Sequence, residues 1–62
     1  MKAKEMIKGQ WYEGYGMKVK CMGLMDEGRY MMVAIDGDED MQSLEGWPLD
    51  KDVTPIENPY KN

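Results

Sequence analysis

Apolar and polar positions alternate with a two-residue period through the middle of the chain. Met17, Val19 and Cys21 fall on one face and Lys18 and Lys20 on the other, the spacing of a half-buried β-strand. The alternation fails at Met22, because Met22, Gly23, Leu24 and Met25 are all apolar or small. A glycine in mid-strand at such a break predicts a bulge or a tight bend. The pattern therefore gives a bent strand over Met17–Met25, a turn at Asp26-Glu27-Gly28 and a second strand over Arg29–Ile35. In that second strand Met31, Val33 and Ile35 share one face and Tyr30, Met32 and Ala34 the other. Both faces are apolar, so the strand is expected to be central and covered twice, by the interior and by a loop, a terminus or a partner.

The flanking segments supply shorter strands. Met6–Glu13 predicts one, with Ile7, Gly9 and Trp11 on one face and Met6, Lys8, Gln10 and Tyr12 on the other. Gly14-Tyr15-Gly16 reads as a loop, since two glycines around an aromatic seldom continue a strand. After the acidic stretch Asp36–Asp40, Met41–Trp47 predicts a fourth strand with Leu44 and Trp47 buried, ended by Pro48. Asp50-Lys51-Asp52 suits one helical or 3₁₀ turn. Val53–Ile56 is a short closing strand, placed at a sheet edge by Pro55. Met1–Glu5 is expected to be a frayed basic lead-in and Glu57–Asn62 a polar tail.

Length makes this one domain, residues 1–62, with an ordered core over about 6–57. A chain of this size buries only about 60% of its unfolded surface, so it needs dense packing, a staple or oligomerisation. Cys21 is the single cysteine and there is no histidine, which leaves no internal disulfide and no zinc ligand set. The lone cysteine, with no signal peptide or long apolar stretch, favours a cytoplasmic setting. Eight Met, two Trp and four Tyr stand in for absent Phe. Met fills irregular gaps and also recurs at adaptable surfaces. That makes Met22, Leu24 and Met32, beside Tyr30, candidates for self-association.

The net charge of −4 is unevenly spread. Residues 1–20 carry five Lys against two Glu (+3), and residues 21–62 three basic against ten acidic residues (−7). The acidic two-thirds would repel phosphate backbones. Lys2, Lys4, Lys8, Lys18 and Lys20, with Trp11 and Tyr12 beside them, could still form a strip for single-stranded nucleic acid. Solvated lysines guarding edge strands are the simpler account.

Four to five short strands, Gly23 in the second, Ala34 in the central one and the Trp47-Pro48 … Val53-Thr54-Pro55-Ile56 ending resemble the layout of the small SH3-like barrel over Met6–Glu57. The Ala-Leu-Tyr-Asp-Tyr type of motif found in the proline-peptide-binding signalling members is missing, so their ligand does not carry over. The layout also resembles, more loosely, small barrels of uncharacterised role from bacteria and their phages. The resemblance implies an all-β fold, either a small SH3-like barrel or a strongly bent antiparallel sheet of four to five strands.

Three groups of residues bear on chemistry. Asp36, Asp38 and Asp40 have the spacing that opens an EF-hand calcium loop, but Met41 and Trp47 stand where its glycine and bidentate glutamate belong. With Glu39 they are better read as a solvated acidic rim, and no metal or cofactor is expected. Trp11, Tyr12, Tyr15, Tyr30 and Trp47 could line one groove for a peptide or a methylated lysine, or could serve as core in a chain without Phe. Catalysis has no histidine for proton transfer near neutral pH, and Cys21 falls on a buried face. Ser43 has no apparent base. A non-catalytic protein-binding or accessory module of a bacterium or phage is therefore the leading expectation. A nucleic-acid-binding barrel using the N-terminal lysines, and an acidic phage-type inhibitor of a host protein, are the alternatives. No membrane partner is expected.

Overall fold

A computed structural model describes residues 1–37 and 43–60. Among these residues, five strands form one antiparallel sheet: β1 (Trp11–Gly14), β2 (Met17–Leu24), β3 (Tyr30–Ile35), β4 (Leu44–Pro48) and β5 (Thr54–Ile56). Their order is β4-β3-β2-β1-β5, so β3 is interior and the proline-bearing β5 is an edge. The all-β expectation holds. Asp38, Glu39, Asp40, Met41 and Gln42 lie outside the described residues, and with them most of the acidic rim and the start of the expected fourth strand.

The sheet is bent, and its register shows where. Cys21 pairs with Val33, but the next pair is Gly23 with Met32, which leaves Met22 as the extra residue of a bulge. Gly23 has φ +105°, a conformation that costs glycine little and L side chains a great deal. The bend curls the sheet far enough for β4 to reach β1 across the inner face. Trp47 of β4 reaches Gly14 of β1 so closely that a Cβ on Gly14 would lie 2.7 Å from Trp47 Cζ3.

Cross-strand partners share a face, so the register sorts the side chains. The inner rows run Tyr12–Val19–Ile35, Cys21–Val33 and Leu24–Met31–Trp47. Tyr12, Val19, Cys21, Met31, Val33 and Trp47 make the core with Ala3, Met6 and Val53. The outer rows run Ile56–Trp11–Lys20–Ala34–Leu44 and Gly23–Met32–Gly46.

Several boundaries differ from the sequence expectation. The first strand begins at Trp11, because Lys8-Gly9 is a turn: Gly9 has φ +91° and the Gln10 N–H donates to the Ile7 carbonyl at 3.0 Å. The predicted alternation over Met6–Gln10 fails with it, leaving Met6 buried and Ile7 exposed. Gly14 is the last residue of β1, and the turn is Tyr15-Gly16, with φ of 53° and 74°. Two consecutive left-handed residues match the twist of a tight hairpin. The basic lead-in is not frayed. Ala3–Glu5 forms a 3₁₀ turn whose Ala3 is fully buried, tied down by Ala3 N–H to Lys51 O at 2.8 Å and Lys4 N–H to Leu49 O at 3.0 Å. The Lys2–Asp52 β-bridge and the ion pair of their side chains at 2.8 Å extend the same seam.

Candidate functional site

The aromatics proposed from sequence do not converge on one groove. Tyr12 and Trp47 are core residues, 3% and 1% exposed. Each has its polar tip satisfied: the Tyr12 hydroxyl accepts from Ile7 N–H at 2.9 Å, and Trp47 Nε1–H donates to Glu45 Oε1 at 3.3 Å. Tyr15 is exposed at the β1–β2 turn, edge-on to Trp47 with centroids 5.3 Å apart, and Lys51 Nζ sits 4.3 Å over its ring. Tyr30 lies at the far end of the outer face, where it and Met25 cover Gly46.

Trp11 stands apart from these. It is only 8% exposed, yet it does not belong to the core cluster. Its register places it on the outer face beside Lys20, in a row with Ala34, which is also fully buried outside the core. The chain thus covers much of its second apolar face itself, as expected for a strand apolar on both sides. The cover is built by a turn and a terminus. Gly37 lies directly against the Trp11 indole; a Cβ there would overlap Cη2 and fall 2.8 Å from Cζ2. Tyr60 packs on the ring with centroids 5.6 Å apart at 60°.

Asp36 and Gly37 have φ of 53° and 76°, and the Asp36 N–H donates to Lys18 O at 2.8 Å. That kinked pair brings glycine under the indole and sets the Asp36 carboxylate near the Tyr60 phenol. Partial removal from water, then the Asp36 charge, hold the Tyr60 hydroxyl above its ordinary range. A groove of about 670 Å³ opens beside Trp11, lined by Gln10, Trp11, Lys20, Gly37, Glu57 and Asn58 among others. A smaller apolar hollow of about 300 Å³ also borders Trp11, lined by Ile7, Tyr12, Pro55 and Ile56 among others. The contributions of Gly37, Glu57, Asn58 and Tyr60 were not foreseen from sequence. Gly37 follows Asp36 in a turn-forming pair, which was the available signal; the return of the tail had none.

The other candidates scatter. Met22 and Met32 are half-buried beside the bulge, while Leu24 is 58% exposed and lies in the inner Met31–Trp47 row. Lys2 is paired with Asp52, and Lys18 stands across from Glu13. The Lys8 side chain runs toward Gly23. Cys21 is buried, and that burial raises its thiol pKa against a smaller lowering effect from the Gly23 backbone. Among the described residues, no group of three or more His, Cys, Asp and Glu side chains is placed to hold a metal ion. No helix among them is long and apolar enough to cross a membrane.

No family model matches the chain, and neither a curated protein nor a solved structure matches it.

Proposed function

We propose that this chain is a non-catalytic protein-binding module of SH3-like barrel type, working in the cytoplasm of a bacterium or phage-infected cell and engaging its partner on the outer face around Trp11. The observation carrying this reading is a large aromatic ring held in place outside the hydrophobic core, with an open groove along it. Recognition surfaces favour rigid aromatics, which offer large contact area at low conformational cost; Trp11 is 8% exposed while Tyr60 lies on it, so its area is offered where the tail lifts. The barrel type is supported by sequential antiparallel pairing, the return of β5 to β1, and the bulge at Gly23. The non-catalytic part rests on the missing histidine and on the buried thiol of Cys21.

Selection from a displayed peptide library on the full chain, followed by NMR mapping, tests the reading. Ligands should shift the Trp11 indole and the Lys20 and Gly37 amides. Ligands that map instead to the Tyr15–Lys51 corner, or a selection that returns none, would overturn it. Lys20 beside Trp11 also favours a second reading, single-strand nucleic-acid binding. That reading predicts an affinity falling steeply with salt on oligonucleotides. An acidic inhibitor would show salt-sensitive binding to a basic protein and none to oligonucleotides.

A further inference from the structure

We propose that the face of Trp11 now covered by Tyr60 takes an extended, tyrosine-bearing segment of a protein partner, and that the chain's own Asn58-Pro59-Tyr60 holds that ring face in cis until such a segment displaces it. This rests on the binding-module reading and adds the chemistry of the ligand.

The tail supplies the argument, because it shows which groups the surface accepts. Tyr60 lays its ring on Trp11 at a tilted 5.6 Å contact, a geometry favourable for aromatic pairs. Its phenol lies close enough to the Asp36 carboxylate to feel that charge, and Asp36 is fixed by the left-handed Asp36-Gly37 pair. A hydroxyl at the ring tip therefore has an acceptor that phenylalanine could not use. Upstream, Asn58 Oδ1 accepts the Tyr60 N–H at 2.9 Å, which with Pro59 pre-forms the turn presenting the ring. Glu57 and Asn58 run along the groove wall.

The same tail is weakly held. Residues 57–60 are all exposed, Tyr60 by 59%. They follow an edge strand of three residues that contains a proline. Among the described residues, no backbone hydrogen bond outside the strands links 57–60 to the rest of the molecule. Contacts that are specific in chemistry but few in number suit a segment that must leave. A tethered occupant competes with a free ligand at an effective concentration of about millimolar. Only a partner segment that exceeds this level, through further contacts in the groove that already opens beside the ring, would displace the tail.

The test uses the full chain, wild type and Tyr60→Ala, with an acetylated, amidated peptide Glu-Asn-Pro-Tyr as probe and the Trp11 indole NMR signal as readout. Without peptide, Tyr60→Ala should shift that signal while leaving the Trp47 indole in place. With peptide, Tyr60→Ala should return the signal toward its wild-type position, saturating at a concentration about tenfold lower than the wild type requires. The phenylalanine version of the peptide should bind more weakly. Equal uptake by both proteins, or no uptake by Tyr60→Ala at millimolar peptide, would overturn the inference. So would equal binding of the phenylalanine peptide. Library ligands that land on Trp11 but lack tyrosine would sink this inference alone, whereas a library with no ligands would sink the binding-module reading itself.

Discussion

Gly14→Ala isolates the contact between β1 and β4 across the inner face of the bent sheet. Gly14 has no positive φ, so its backbone suits alanine. In open space the change would stabilise the fold by about 0.4–1 kcal/mol, by restricting the unfolded chain. The space is not open. The new Cβ would meet Trp47 Cζ3 at 2.7 Å and Cη2 at 2.9 Å, well inside the roughly 3.5–4.0 Å at which carbon atoms attract. Trp47 is 1% exposed, stands across from Met31 and belongs to the core cluster with Val33 and Tyr12. It cannot swing aside without disturbing them. Overpacking of this kind costs about 1–3 kcal/mol, which outweighs the entropic gain and leaves a net loss of about 1–2 kcal/mol. At about 4–8 °C per kcal/mol for a domain of this size, the melting temperature should fall by about 5–15 °C. Thermal unfolding followed by far-ultraviolet circular dichroism reads it. Gly16→Asn is the control: Gly16 has φ +74° and nothing within 4 Å of its Cβ position, and asparagine tolerates that conformation. The control should cost little, while Gly14→Asn should be at least as harmful as Gly14→Ala. A Gly14→Ala protein as stable as wild type would refute the closure of β1 against Trp47.

The thiol of Cys21, raised by burial, should react with a disulfide reagent at neutral pH far more slowly than a free cysteine, and at a rate that rises with denaturant in step with opening of the fold. Rapid labelling of the folded protein would contradict its placement between Val19 and Val33. The ion pair with Lys2 holds the Asp52 carboxyl below its usual range. A lowered folded-state value gives a contribution that is present above the unfolded value near 3.8 and is lost as the pH falls through the lower, folded one. Asp52→Asn should therefore lower the melting temperature slightly at pH 7 and converge with wild type in strong acid. High salt should shrink the difference, because the pair is exposed. The phenol of Tyr60 is shifted the other way, upward. Its docking should persist below pH 10 and fail as the pH climbs through the raised value, with the Trp11 indole signal following the change.

Strand existence was legible because it is written locally. Two-residue alternation from Met17 to Cys21, the glycine at the break and the two apolar faces of Tyr30–Ile35 specified a bent strand and a central one. The structure has both. Pro55 placed the last strand at an edge through the loss of one N–H, also a local fact. The errors were local conflicts settled elsewhere in the chain. Met6–Gln10 alternates acceptably for a strand, yet Ala3 and Met6 are drawn into the core by backbone bonds to Leu49 and Lys51, and the chain must turn at Lys8-Gly9 to allow it. Of the five aromatics, the sequence could say only that each was core or surface. Their assignment depends on curvature: the bulge at Gly23 sends Trp47 across the interior to Gly14, which consigns Trp47 and Tyr12 to the core and leaves Trp11 outside it. What covers Trp11 is decided by residues more than twenty positions away, Gly37 and Tyr60. Period and turn chemistry act between neighbours and can be read in order along the chain. The outer site is a product of sheet curvature and chain return, and those exist only once the whole sheet has formed and bent.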